Sequence, residues 1–156
     1  MDGSIEKRLA VLEAREQIKE LRYTYAWYAS RGQREKIAGL FMPDGIFNLR
    51  SGDQRICLRG REEILAYLEK SMWPHMIFPI LHNHVIDVDG DEAVGTCVME
   101  ARTREKIAEF FPDGFLGYYH DRAVRQSDGR WLFAERRWFT YWPDFEDSGL
   151  PVRPGC

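Results

Sequence analysis

The sequence predicts an α+β fold built as one domain, and three observations carry that expectation. The first thirty residues have the periodicity of a long helix. The second half reads as strands separated by Asp-Gly turns. No internal repeat, low-complexity run or linker divides the chain. Its 156 residues are enough to bury a sizeable single core.

In the helical opening, Val11, Ala14, Ile18, Leu21, Tyr25 and Tyr28 recur at steps of three and four, which places them on one stripe. Glu13, Glu16, Glu20 and Arg22 fall on what reads as the solvated side. Gly32 supplies a C-terminal stop. A second helix is expected from Gln33 to Met42, with Ile37, Leu40 and Phe41 on its apolar side, ended by Pro43-Asp44-Gly45. Two short strands, Ile46 to Leu49 and Arg55 to Leu58, flank a Ser51-Gly52-Asp53 turn. A third helix, about Arg61 to Ser71, buries Ile64, Leu65 and Leu68. Sheet follows: His82 to Val88 and Glu92 to Arg102 around Asp89-Gly90-Asp91, then Phe115 to Arg125 and Trp131 to Trp142 around Ser127-Asp128-Gly129. Thr103 to Gly114 is a longer connection. Residues 143–156, with three prolines, read as a tail. Helices first and a curling antiparallel sheet after them imply helices packed on one face of that sheet.

Composition narrows the function classes. A net charge of −3 and a pI near 5.8 do not favour nucleic acid as a partner. No run approaches the roughly 20 apolar residues of a membrane span, and the N-terminus has no signal-peptide core. A cytoplasmic protein is therefore expected. Cys57, Cys97 and Cys156 match neither a zinc pattern nor a disulfide framework, so Cys57 and Cys97 read as buried thiols. No phosphate loop, nucleophile elbow or Cys-x-x-Cys pair is present, and no cofactor is expected. An aromatic share of 13% points to rings lining a cavity as well as a core.

The segments IKELRYTYAWYASRGQREKIAGLF, PDGIF, GREEI, HVIDVDGDEAVGT and DGRWLFAERR, in that order, resemble the SnoaL-like and scytalone-dehydratase-like proteins of the nuclear-transport-factor-2-like fold. The likeness runs to about residue 142. It implies a cone-shaped barrel of curved, mixed, mainly antiparallel sheet with three helices on its face. It also implies a pocket for a small hydrophobic molecule. In these families a His–Asp dyad moves a proton while tyrosines hold or polarise the substrate. Position by position, the pocket tyrosine matches Tyr25. The dyad aspartate falls on Ser30 and the histidine on Pro79, so the dyad itself is not kept.

Two readings follow. One is a cofactor-independent lyase or isomerase acting on a cyclic or polyketide-like molecule. The other is a binding or accessory protein that has lost the chemistry. For catalysis the candidates are Tyr25, His82 and His84. Strand alternation sets both histidines on the side of Ile86 and Val88, although a β-bulge near Asn83 would reverse which residues face in. The two imidazoles lack a third ligand, so no metal is expected. Ser30, Trp27, Trp73, Glu100 and Tyr119 are the candidate substrate contacts. Glu100 with Arg102 has a competing reading as an ion pair on the wet face, and Glu135, Arg136 and Arg137 read as a solvated strand. Trp138, Tyr141 and Trp142 suggest a surface that needs a partner, which predicts a homo-oligomer, dimer or trimer.

Overall fold

In the computed structural model, residues 2–51, 54–70, 77–103 and 115–140 are described. Three helices, α1 (Asp2–Ser30), α2 (Arg34–Gly39) and α3 (Gly60–Lys70), accompany six strands. These are β1 (Phe41–Ser51), β2 (Gln54–Arg59), β3 (Ile77–Asp89), β4 (Glu92–Thr103), β5 (Phe115–Arg125) and β6 (Trp131–Thr140). The sheet order is β2-β1-β6-β5-β4-β3. All pairings are antiparallel except β1 with β6. The sheet is mixed and open, with β2 and β3 at its edges. The expected α+β class and three helices hold.

Local chemistry explains most boundaries. Gly32, Gly90 and Gly129 each take a positive φ (65°, 60° and 85°), the conformation that the end of α1 and two hairpin turns require. The second helix is shorter than expected. Phe41 already pairs with Phe133, and the Phe133 N–H donates to the Leu40 carbonyl. The apolar face assigned to a longer helix thus splits between Ile37 on α2 and Phe41 on β1.

α1 packs on β3 and β6, and α3 on β1, so both cover one face of the sheet. The stripe read from the sequence is the buried one: Ala14, Ile18, Leu21 and Tyr25 are all in the core. The sheet contributes Phe47, Cys97, Met99, Tyr119, Phe133 and Trp138 to it. Trp138 thus faces inward, against Tyr119, and does not form the exposed surface expected of it. Tyr141 and Trp142 lie outside the described residues. Cys97 is a buried free thiol, as expected. Cys57, expected to be free, is disulfide-bonded. Sequence spacing alone gave no sign of that.

Two bulges set which residues face α1. On β3 the pairing passes from His82↔Val98 to Val85↔Thr96. Asn83 sits there at φ 49°, the left-handed region that asparagine tolerates better than most side chains. Between β5 and β6 the register passes from Arg122↔Glu135 to Ala123↔Phe133, leaving Ala134 as the extra residue. Phe133 and Arg136, three apart, consequently share the inner face.

Gly117 opposes the β6 segment that carries Trp138. A methyl group added there would collide with the Phe139 carbonyl and the Trp138 indole. Gly117→Ala is expected to destabilise by about 1–3 kcal/mol, as overpacking does. Urea unfolding measures it, and an unchanged midpoint would contradict this packing.

Candidate functional site

At the centre of the inner face lies a group of buried charges, two of which, Arg22 and Arg136, the sequence reading had assigned to solvent. Arg22 of α1, Asp121 of β5 and Arg136 of β6 are 0, 1 and 0% exposed. Arg22 Nε donates to Asp121 Oδ2 at 2.9 Å, and Arg22 Nη1 donates to the Thr96 carbonyl at 3.1 Å. Arg136 Nε lies 3.4 Å from Asp121 Oδ1, an ion-pair contact without hydrogen-bond alignment. One carboxylate therefore stands between two guanidiniums.

Arg136 is boxed by aromatic rings. Its guanidinium carbon lies 3.6 Å from the Tyr119 ring centre, 4.1 Å from that of Tyr25 and 4.5 Å from that of Phe133. Tyr25 also meets Phe47, Tyr119 and Phe133 edge-on. Such cation–π contacts offset part of the desolvation of a guanidinium. They leave its N–H groups without acceptors: Arg136 Nη1 and Nη2 are buried and make no hydrogen bond. Burial alone would weaken the Arg136 charge, but Asp121, Tyr119 and Tyr25 outweigh it and keep the group protonated. Burial, and then its neighbour Tyr119, raise the Tyr25 phenol well above its ordinary value. Tyr119 is pushed up to about 12, chiefly by burial, against the pull of Arg136.

His84 joins this group. Its Nδ1 lies 3.3 Å from Arg22 Nη1, and its ring meets Tyr23 edge-on. Arginine has no acceptor, so Nδ1 accepts and the neutral ring carries its proton on Nε2. That nitrogen is buried without a partner. Burial, then Arg22, depress His84 to about 4, so the ring is neutral at pH 7.

The other sequence candidates are distributed differently. His82 does not share a face with His84, because the extra residue of the Asn83 bulge separates them. It lies on the outer face, 43% exposed and 3.8 Å from Glu100. Glu100 is on that face too, in an ion pair of 3.0 Å with Arg102, and does not line the inner face. Trp27 is 59% exposed beside Arg31, one helix position off the buried stripe, and is not an inner-face contact. Ser30 Oγ is occupied by the Trp27 carbonyl at 2.8 Å. Trp73 lies outside the described residues. Tyr25 and Tyr119 do come together in the interior. Glu135 and Arg137, expected to be solvated, are buried on the outer face. Arg137 Nε donates to Glu135 Oε1 at 2.6 Å, and Asn48 Nδ2 donates to the same oxygen at 3.1 Å. A shallow depression of about 300 Å³ lies away from this cluster and is lined by Gly32, Gln33, Arg34, Glu35, Lys36 and Glu69. It has no aromatic wall. Among the described residues no group of three metal-ligating side chains occurs. None of the described helices is long and apolar enough to cross a membrane.

Comparison with known proteins decides the family. The SnoaL-like domain model matches residues 10–137. The chain belongs to the SnoaL-like family. No curated protein matches the sequence. Among solved structures, an NTF2-like protein with a cystatin-like fold from Novosphingobium aromaticivorans is 20% identical, covering 92% of each chain at a TM-score of 0.75. A candidate scytalone dehydratase from the same organism is 23% identical, covering 86% of this chain and 87% of its own, at 0.66. A hexachlorocyclohexane dehydrochlorinase from Novosphingobium barchaimii is 17% identical, covering 86% and 91%, at 0.70. These likenesses establish the fold that this SnoaL-like chain shares with them.

Two measurements check the cluster. Asp121→Asn leaves two buried guanidiniums without a counter-charge and is expected to cost about 3–5 kcal/mol in denaturant unfolding. His84 has a folded pKa below its unfolded value, so the unfolded chain binds more protons between about pH 6.5 and 4. Its contribution is present above that window and lost as pH falls through it. A His84→Gln variant should show a shallower loss of stability across that window than the wild type.

Proposed function

We propose that this SnoaL-like protein is a cofactor-independent lyase or isomerase of the dehydratase kind. Its substrate is a small, apolar, cyclic or polyketide-like molecule, and the chemistry is proton transfer beside a carbonyl. The observation that carries this reading is the Arg136 guanidinium, buried among Tyr25, Tyr119 and Phe133 with Nη1 and Nη2 unsatisfied. Removing a proton next to a carbonyl places negative charge on its oxygen. Donors fixed in a water-poor site stabilise that charge most, because they need not reorganise as it develops. Arg136 would hold the oxyanion. Tyr25 and Tyr119 stay protonated and so remain donors, and their rings offer apolar walls. His84 serves as a neutral donor through Nε2 and not as the base. Asp121 Oδ1, an inner-face carboxylate oxygen with no hydrogen bond, is the proton acceptor in this scheme.

The test is α-proton exchange of cyclic ketones in D₂O, followed by NMR, together with elimination from cyclic β-hydroxyketones. Arg136→Met is expected to lower exchange about 10²–10³-fold, as loss of one oxyanion donor does. Tyr119→Phe should give a smaller loss. Full activity in Arg136→Met would sink the scheme.

A second reading, binding without turnover, is favoured by one observation. Ser30 is tied to the helix backbone and Pro79 bears no titratable group, so the positions that resemble the dyad hold no acid–base pair. A ligand that binds and is recovered unchanged, with no exchange, selects this reading. Self-association is proposed through the outer face of β3, β4 and β5. Ile80, Val85, Val94 and Leu116 are exposed there at 42, 66, 45 and 50%. Light scattering is expected to give a dimer or trimer, and a strict monomer would remove it.

A further inference from the structure

The inner cluster carries more positive charge than it balances. Two guanidiniums, Arg22 and Arg136, face one carboxylate, Asp121. Arg22 is engaged by Asp121 through Nε and by Thr96 and His84 through Nη1. Arg136 is not: only its Nε approaches Asp121, and Nη1 and Nη2 have no acceptor. Among the described residues, no other inner-face group can become its counter-anion near neutrality. Burial raises the Cys97 thiol to about 11 and Tyr119 to about 12, and it lifts Tyr25 further from ionisation. The carboxylate of Glu135 lies on the opposite face and is taken up by Arg137 and Asn48. His84 adds a second orphan donor, Nε2–H, without adding charge.

A buried guanidinium with a free fork is costly unless something bidentate and negative meets it. The guanidinium fork matches a carboxylate in plane and spacing, which a point anion does not. The rings of Tyr119, Tyr25 and Phe133 pack on the guanidinium and make its surroundings apolar, which favours a flat or cyclic apolar body beside the fork. From this geometry we infer that the ligand of the inner face is a small ring-bearing carboxylate, bound as its anion with the carboxylate on Arg136 Nη1 and Nη2. The inference rests on the reading that the inner face is the substrate site, and it names the class of substrate. The carboxylate acts as the anchor and takes no part in proton transfer. The carboxylate occupies both Nη1 and Nη2, so for such a ligand Arg136 is a specificity-determining residue, and the oxyanion of a reacting carbonyl elsewhere on the ring is left to the other inner-face donors, Tyr119 and His84 Nε2.

The test uses the whole chain and simple probes. Thermal unfolding and calorimetric titration compare benzoate and cyclohexanecarboxylate with benzamide, benzyl alcohol and sodium chloride at constant ionic strength. Either carboxylate is expected to raise the melting temperature in a saturable way and to bind at least tenfold tighter than its neutral counterpart. Arg136→Gln should abolish that preference. Arg136→Lys, which keeps the charge but not the fork, should weaken carboxylate binding at least tenfold. The isostere comparison on the wild-type chain stands even if a variant does not fold. Equal binding of benzamide, equal stabilisation by chloride, or no binding of either carboxylate would each overturn the inference. The two proposals fail separately. If neutral ketones exchange their α-protons while carboxylates neither bind nor compete, the enzyme reading stands and the carboxylate ligand falls. If carboxylates bind selectively and nothing is turned over, the ligand class stands and the lyase or isomerase falls.

Discussion

The pairing of Asp121 with Arg22 and Arg136 is the constraint around which the inner face is arranged. It ties α1 to the two central strands, β5 and β6, through side chains that are at most 1% exposed. Such a cluster is poor value as a stabilising device, since well-packed apolar residues of similar volume often hold a fold as firmly. What it enforces is register. Shifting β6 by one residue against β5 would carry Arg136 to the outer face and leave Asp121 with a single partner. Rotating α1 by one position would withdraw Arg22 from Asp121, from Thr96 and from His84 together. The surroundings of Arg136 and the placement of three elements thus depend on one carboxylate.

Two one-residue irregularities make that arrangement possible. Without the bulge at Ala134, alternation would send Phe133 and Arg136 to opposite faces, and the guanidinium would lose one wall of its aromatic box. Without the bulge at Asn83, His82 would follow His84 inward. The bulge places His82 outside, near Glu100, and keeps a single imidazole against Arg22. Both are local departures from period two, and both sit beside the buried charges. Bulges commonly re-aim side chains in this way next to functional sites.

The same features explain what could be read from the sequence. Elements whose signal is local were legible: the stripe through Ala14, Ile18, Leu21 and Tyr25, the glycine stops at 32, 90 and 129, and the strand pairs around them. The resemblance singled out Tyr25, which lies in the interior beside Tyr119 and Arg136, and the bulge near Asn83 was an alternative that the strand reading left open. Arg22, Arg136 and Arg137 were misread, because a charged residue is assigned to water unless its partner is seen. The partner of Arg22 is 99 residues away. Arg136 and Arg137 lie on a central strand buried on both faces, where the period-two alternation of a half-solvated strand gives no guidance. The sign that was available is weaker: Arg22 is four residues from Ile18 and from Ala26, hence beside the apolar stripe and not opposite it.

The electrostatics of the interior favour one kind of event over others. Desolvation moves the Tyr25 and Tyr119 phenols and the Cys97 thiol upward and the His84 imidazole downward, each toward its uncharged form. Protonating His84 would add a third positive charge beside Arg22 and Arg136, so the ring is suited to donating a hydrogen bond and unsuited to holding an extra proton. A negative charge arriving or developing near Arg136 is opposed by none of these groups except Asp121, which is already flanked by two guanidiniums. It would meet donors that have no other acceptor. The site is therefore biased toward anions through the groups that it leaves unsatisfied. That bias is the physical link between an inner face without the His–Asp dyad and the proposed chemistry, in which an oxyanion is the species to be held.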